Sequence, residues 1–357
     1  MIVQSAEVYT CDIPLLVPYT IAYETISSTI NHFIVITTRG GIAGIGCAAP
    51  APEVTGESAE RSLRELNKMA ASLVGRSVDT LYSTPDWVNP SAPSATTAVD
   101  LALTDILARG QNKSCLEWLK PGHSVFEPVT TSVTIGISSV EETLTRAKQL
   151  VKQGFTFLKI KGGHQIQTDM DRLQALRTEL GPNVDLALDA NQGYSLTDVE
   201  HLERHQETIQ LSYLEQPTPK SDLKLLGKAA SIVSIPVMAD EAVQTVEDTK
   251  KIGDLGTVRL VNIKLQKMGG LRAASAIDKA ARDAGMRTML GCMDESALSI
   301  AAALYFGGAH PNVQYYDLDG HFDLSQDPLD GLVTLRNGQL SAPAGLGLGW
   351  SEMPDFR

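Results

Sequence analysis

The sequence predicts an α/β protein, a parallel β/α barrel preceded by a smaller α+β domain. Three observations lead there. From about residue 130, short β-rich runs alternate with amphipathic helical stretches, the pattern of repeated βαβ units. About eight such runs fit into roughly 190 residues, which suits a closed barrel better than an open sheet. The GxGxxG expected after the first strand of a doubly wound sheet is missing, which leaves that fold as the alternative.

The elements follow in order. Residues 2–9 and 32–38 read as strands, and a turn at Gly40-Gly41 leads to a third at 42–47. Helical stretches follow at 57–73 and 95–109. In the second, Val99, Leu103, Ile106 and Leu107 recur three and four apart, as one buried helix face requires. The barrel runs are 131–135, 157–160, 185–188, 211–214, 236–239, 259–263, 287–290 and 313–316. Helices between them include 140–153, 170–180, 199–204 and 271–284. The last 37 or so residues, rich in Gly, Pro and Asp, break the alternation and are expected to pack back on the N-terminal domain. With 357 residues and roughly 100–200 per domain, the expected division is a capping domain at 1–120, a barrel at 121–320 and a returning segment at 321–357.

Composition removes several function classes. The chain has 30 Lys+Arg, 42 Asp+Glu and a net charge of −12, which argues against a nucleic-acid or anionic-membrane partner. No apolar stretch reaches the roughly 18 residues of a membrane span. No basic segment precedes an apolar run at the start, so no signal peptide is expected. Cys11, Cys47, Cys115 and Cys292 are scattered without a CxxC, which indicates neither a disulfide framework nor a zinc site. The expectation is a soluble protein of a reducing cytoplasm.

Catalytic groups of such barrels sit at the C-terminal ends of strands, so the residues ending each apolar run carry the argument. They are Lys159-Ile160-Lys161, Asp189-Ala190-Asn191, Glu215-Gln216-Pro217, Asp240-Glu241, Lys264, Gly291-Cys292-Met293 with Glu295 close behind, and Asp317-Leu318-Asp319. Asp189, Glu215, Asp240 and Lys264 are spaced 26, 25 and 24 residues apart, one ionisable group per βα unit. Asp189, Glu215 and Asp240 would repel one another without a cation among them, and their hard oxygens select Mg²⁺ or Mn²⁺ over zinc. The alternative is that each acid caps the helix after its strand. Lys159, Lys161 and Lys264 aim ammonium groups at the mouth. Beside a cation their pKa is expected to fall, making them candidate proton-transfer bases; snorkelling surface lysines are the alternative. Only one of Lys159 and Lys161 is expected to enter the pocket unless the strand end twists. His164, beyond Gly162-Gly163, reads as a loop histidine. His321 reads as structural or supporting, and Trp87, Trp118 and Trp350 as packing residues.

The order KxK, DxN, ExP, DE and a lysine on the next strand resembles the enolase superfamily, muconate-lactonizing subgroup, over nearly the whole chain. Gly44-Ile45-Gly46-Cys47-Ala48-Ala49-Pro50, followed by Thr55-Gly56-Glu57-Ser58, is similar to that family's capping-domain turn, except that the family usually has Glu at the position of Cys47. The resemblance implies a (β/α)7β barrel, a modified TIM barrel, with an α+β capping domain completed by the C-terminal segment. It implies one Mg²⁺ per subunit, replaceable by Mn²⁺, on Asp189, Glu215 and Asp240. It also implies abstraction of a proton α to a carboxylate, with Lys161 and Lys264 on opposite faces of the substrate carbon and Lys159 neutralising the enolate. Asn191 and Glu241 would orient the ligands and Lys264. Barrels of this family often assemble, so a homo-oligomer is implied.

Two bases on opposite faces invert a stereocentre. Asp317-Leu318-Asp319 is similar to the DxD of dipeptide epimerases, where the acids hold the substrate's α-ammonium; taken alone, it also fits a turn or helix cap. Three readings stand: a Mg²⁺-dependent dipeptide epimerase, an N-acylamino acid racemase or o-succinylbenzoate synthase of the same superfamily, and a non-catalytic ligand-binding barrel. For specificity, the expectation falls on two capping loops, residues 18–25 with Glu24 and residues 52–55 with Glu53, and on Cys292 and Met293. Ala-Glu-selective members place an arginine where Glu24 aligns. Acids there disfavour Ala-Glu and favour dipeptides with basic or neutral polar side chains.

Overall fold

The computed structural model describes residues 1–20 and 25–356. Strands β1 (Val3–Thr20), β2 (Thr25–Thr38) and β3 (Ala43–Ala48) form an antiparallel meander. The first two run well beyond the expected 2–9 and 32–38. Pro14 and Pro18 lie within β1, where the β1–β2 ladder shifts register between Pro14 and Tyr19, which accommodates them without ending the strand. The helix Pro93–Gly110 packs on this sheet, buried from Pro93 to Ala108. The approach is close enough that a Cβ at Gly46 would lie 1.7 Å from the Ala98 carbonyl oxygen.

The helix expected from residue 57 begins instead at Ala59, capped by the Ser58 side chain. Glu57 is buried and caps a different helix. Its carboxylate accepts the Ser94 N–H at 2.7 Å and the Ala95 N–H at 3.4 Å, satisfying the otherwise uncapped start of Pro93–Gly110.

After the short strand β4 (Val129–Thr130), eight parallel strands follow in chain order. They are β5 (Val133–Ile135), β6 (Phe157–Lys161), β7 (Asp185–Asp189), β8 (Leu211–Glu215), β9 (Val237–Ala239), β10 (Leu260–Lys264), β11 (Arg287–Gly291) and β12 (Val313–Tyr316). A main-chain hydrogen bond from the Ser132 N–H to the Tyr316 carbonyl, 2.8 Å, links the β5 and β12 edges. Among the described residues a helix lies between each consecutive pair of these strands and none follows β12, so the architecture is (β/α)7β. Ala297–Ala309, between β11 and β12, has no helical periodicity because it is apolar on every side. It is buried between the barrel, β3 and the helix Cys115–Leu119. Among the described residues no helix is long and apolar enough to cross a membrane.

Strand alternation layers the barrel interior. Phe157, Ala187, Tyr213, Met238, Leu260 and Met289 fill the lower layer, with Tyr315 against them. Two residues further along each strand, the same face carries Lys159, Asp189, Glu215, Asp240, Asn262 and Asp317. A dry floor therefore lies beneath a charged mouth.

The C-terminal segment returns to the cap as expected. Phe356 stacks on Tyr9 at 4.8 Å. Asp105, fully buried in the cap helix, accepts from Arg109 Nε at 2.8 Å, Leu348 N at 2.8 Å, Trp350 Nε1 at 2.6 Å and Ile45 N at 3.1 Å. The segment also forms a hairpin, β13 (Thr334–Arg336) and β14 (Gln339–Ser341), that pairs with β4 below the barrel and was not anticipated. Asp105→Asn leaves Arg109 without its counter-charge and is expected to lower unfolding free energy by about 3 kcal/mol. Urea denaturation of the variant beside wild type checks this.

Candidate active site

The mouth opens into a cavity of about 870 Å³, within the range of small-molecule sites. Lys161 ends β6, Asp189 β7, Glu215 β8 and Lys264 β10, while Asp240 directly follows β9 and Asp317 directly follows β12. Lys161 pairs in register with Asp189, and Asp189 with Glu215. The sequence-derived ring is thus assembled on one face of the barrel.

Lys159 and Lys161 both turn inward, contrary to the expectation that one would stay outside. Residues two apart share a strand face, so no twist is needed. Lys159 Nζ lies 2.7 Å from Asp317 Oδ2, 2.8 Å from Glu215 Oε2 and 3.2 Å from Asp189 Oδ2. Lys161 Nζ donates to Asp189 Oδ2 at 2.7 Å. Lys264 Nζ lies 2.8 Å from Asp240 Oδ2. Among the ring carboxylates alone, Lys159 and Lys264 are shifted upward. Burial depresses the Lys264 ammonium, but Asp240 outweighs it and the net shift is upward; Asp317, Glu215 and Asp189 do the same to Lys159.

The carboxylates divide. Burial raises all three, yet Lys161 and Lys159 hold Asp189 down to about 2, and Lys264 and Lys267 hold Asp240 lower still. Glu215 is pushed up to about 8 by burial and by the Asp189 and Asp240 charges, against the pull of Lys159. Among the described residues no three His, Cys, Asp or Glu side chains converge on one point as a ready metal cage. Each carboxylate is turned toward an ammonium group. The donor set nonetheless fits a hard divalent cation. Three buried all-oxygen ligands stand at adjacent strand ends, and Asn191 Oδ1 and Glu241 Oε2 beside them are buried without a hydrogen-bond partner. Such an array is costly unless positive charge reaches it.

Supporting groups surround the ring. The Asn191 N–H donates to Asp189 Oδ1 at 3.0 Å, and Asn191 Nδ2 donates to Glu241 Oε1 at 3.2 Å. Asn191, Gln192 and Gln216 have positive φ of 39°, 72° and 33°, strain of the kind that gathers at functional strand ends. Four supports escaped the sequence reading. Lys267, fully buried, donates to Asp240 Oδ1 and to the Asp240 carbonyl, both at 2.6 Å. Asn262 Nδ2 donates to Glu215 Oε1 at 2.8 Å. Gln216 Oε1 accepts the Asp240 N–H at 2.9 Å. Ser132 Oγ donates to Asp317 Oδ1 at 2.6 Å.

Asp317 and Asp319 both line the cavity. Asp319 accepts the Thr134 N–H at 2.7 Å and is pushed up to about 6 by burial and by Asp317. Cys292 and Met293 line the cavity too. Cys292 Sγ donates to the Asp317 carbonyl at 3.2 Å and accepts the Gly320 N–H at 3.2 Å, so the thiol braces the DxD turn. Glu53 is exposed on the helix Pro52–Thr55 at the cavity rim. Its loop is tied to the barrel, with Lys220 Nζ donating to the Glu53 carbonyl at 3.2 Å and Gln244 Nε2 to that of Val54 at 2.8 Å. Glu24 lies outside the described residues. His164 is exposed, as expected of a loop histidine. His321 lines the cavity with its Nδ1 unpartnered, and burial brings its pKa down to about 4. Cys47 is buried and donates to Asn31 Oδ1 at 3.2 Å, the same oxygen that accepts the Ser296 N–H. The residue that departs from the family pattern thus joins the cap to the loop after β11, near Glu295, which burial pushes up to about 7.

Comparison with known proteins agrees with this geometry. Residues 5–119 match the mandelate racemase/muconate lactonizing enzyme N-terminal domain, and residues 142–354 match the enolase C-terminal domain-like family. An L-Lys-D/L-Arg epimerase of Desulforapulum autotrophicum is 34% identical, covering 98% of this chain and 99% of its own. A dipeptide epimerase structure from Enterococcus faecalis, complexed with Mg and L-Leu-L-Tyr, superposes with TM-score 0.93 at 30% identity over 98% of this chain and 99% of its own. One from Methylococcus capsulatus, complexed with Mg and L-Arg-D-Lys, does so with TM-score 0.90 at 35% identity over the same shares. The chain belongs to the enolase superfamily, as a member of its mandelate racemase/muconate lactonizing enzyme family.

Proposed function

We propose that this protein epimerises dipeptides, inverting the carbon α to the carboxylate by a two-base mechanism. The observation that carries the reading is the placement of Lys161 and Lys264. They end β6 and β10, four strands apart in an eight-strand barrel, with Asp189, Glu215 and Asp240 at the three intervening strand ends. A substrate carbon above those acids meets an amine from each side. One lysine takes the α-proton and the other delivers a proton to the opposite face, so the net reaction is isomerisation.

Asp189, Glu215 and Asp240 would hold one Mg²⁺, with Mn²⁺ a chemically reasonable substitute. Bound there, the ion supplies positive charge against the substrate carboxylate as the enolate forms. Lys159, beside Glu215 and Asp189, adds a fixed ammonium to the same side. Asp317 and Asp319 receive the substrate's α-ammonium, which favours free-amine dipeptides over N-acyl amino acids. The same reading divides the chain into a cap at 1–120, a barrel at 121–320 and a returning segment at 321–357.

Cationic dipeptides are the proposed class. Outside the lysine–carboxylate ring, the cavity lining includes Glu53, Glu142, Asp294, Asp323 and Asp330 against Arg146. The relative from Desulforapulum autotrophicum is an L-Lys-D/L-Arg epimerase, and the Methylococcus capsulatus structure binds L-Arg-D-Lys. In a matched series, kcat/KM for Lys-Arg is expected to exceed that for Ala-Glu by at least about tenfold, the worth of a single favourable charge contact. Because Glu53 is exposed, Glu53→Gln is expected to erode that ratio by no more than about fivefold. A wild type that prefers Ala-Glu would sink the cationic assignment. Deuterium uptake at Cα in D₂O, followed by mass spectrometry across a dipeptide library with Mg²⁺, tests the epimerase reading itself.

A further inference from the structure

Lys161 is the last residue of β6, and its side chain can be no better placed than the backbone that carries it. That backbone is held by a buried network from outside the cavity. Arg172, on the helix Ile166–Leu180 after β6, is fully buried. Its Nη1 donates to the Lys161 carbonyl at 2.6 Å and its Nη2 to the Gly136 carbonyl, just beyond β5, also at 2.6 Å. Its Nε donates to Thr143 Oγ1 at 2.9 Å. One planar guanidinium thereby fixes two adjacent strand ends.

Asp169, one turn earlier on the same helix, is 3.4 Å from Arg172 Nη1 through Oδ1. Its Oδ2 accepts the Gly163 N–H at 2.9 Å and the Tyr194 hydroxyl at 2.7 Å. Tyr194 comes from the loop after β7. The chain leaving Lys161 folds around this carboxylate, which explains Gly162-Gly163. A Cβ at Gly162 would lie 2.7 Å from Asp169 Oδ2, and Gly163 has φ +99° with Ala190 O 2.1 Å from a Cβ position. A buried arginine and aspartate are expensive unless every donor is used, and here the bonds converge on the segment bearing one base. Lys264 is held by other groups, Asp240 and its partner Lys267.

We infer that Arg172, Asp169 and Tyr194 are positioning residues for Lys161 and not for Lys264. The inference rests on the two-base reading above. It predicts a handed defect. Loosening this network impairs proton transfer on the Lys161 face alone, where a displacement near 1 Å can cost about 100-fold.

The test is Cα deuterium exchange in D₂O with Mg²⁺, measured separately for the two epimers of one dipeptide. Lys161→Ala identifies the epimer whose exchange depends on Lys161. Tyr194→Phe and Asp169→Asn are expected to slow exchange of that same epimer by about tenfold or more, with the other changed less than about twofold. Arg172→Lys, which keeps the charge but not the fork, is expected to fall between them and wild type. If Arg172→Lys or Asp169→Asn fails to fold, Tyr194→Phe, which loses one hydroxyl, decides. Equal slowing of both epimers, or of neither, overturns the inference while leaving the epimerase reading intact. A wild type that exchanges neither epimer of any dipeptide overturns both.

Discussion

Lys264→Ala is expected to abolish epimerisation while leaving the fold and one half-reaction in place. Each turnover needs a proton removed from one face and another delivered to the opposite face, so losing either amine blocks inversion. General acid–base groups contribute roughly 10²–10⁴-fold, and the expected fall in kcat is at least about 10³-fold. Lys161 remains, held 2.7 Å from Asp189, and should still exchange the α-proton of the epimer it faces. Lys161→Ala should show the mirror behaviour. Polarimetry measures inversion and mass spectrometry in D₂O measures exchange. Near wild-type inversion by either variant contradicts the assignment.

The second large effect concerns the three carboxylates. Asp240→Asn keeps the volume but removes a charge that sits 2.8 Å from Lys264 and 2.6 Å from Lys267. Mg²⁺ binding is expected to weaken by about 100-fold or more, since the ligand charge falls and two ammonium groups are left facing the site. Isothermal titration with Mg²⁺ reads this directly, independently of turnover. Activity of wild type should vanish in EDTA and return with excess Mg²⁺. A variant with unchanged Mg²⁺ affinity, or full activity in EDTA, would place the metal elsewhere.

Much of this site is legible because of how barrels are built. An apolar run that must stop at the barrel mouth stops in a polar residue, so Lys161, Asp189, Glu215, Asp240 and Lys264 stand out one per βα unit. What supports them does not obey that rule. Asn262 lies inside an apolar run and reads as part of it, yet its amide reaches Glu215. Lys267 follows Lys264 on a short helix and looks like a surface lysine until its burial is known. Arg172, Asp169 and Tyr194 meet only after two βα units have folded. The cap was less legible than the barrel. β1 runs to Thr20, well past the expected 2–9, and Glu57 reads as the start of its own helix while its carboxylate serves another. Ala297–Ala309 shows the reverse limit, since a helix buried on all sides carries no periodic signal.

The clasp between Asp105 and the last ten residues orders events during synthesis. The cap strands leave the ribosome before the barrel, but Ile45 N, Leu348 N and Trp350 Nε1 share one buried carboxylate, and Phe356 covers Tyr9 and Phe33. The Leu348 and Trp350 contacts reach back 243 and 245 residues, and that of Phe356 with Tyr9 further still, so their loop-closure entropy is met last. A nascent chain stalled after the barrel therefore holds a cap with an open seam, its Asp105 half-satisfied and its aromatic face bare. The cap, translated before the barrel, is completed after it, and only chains that carry the returning segment present a sealed cap to proteases and chaperones.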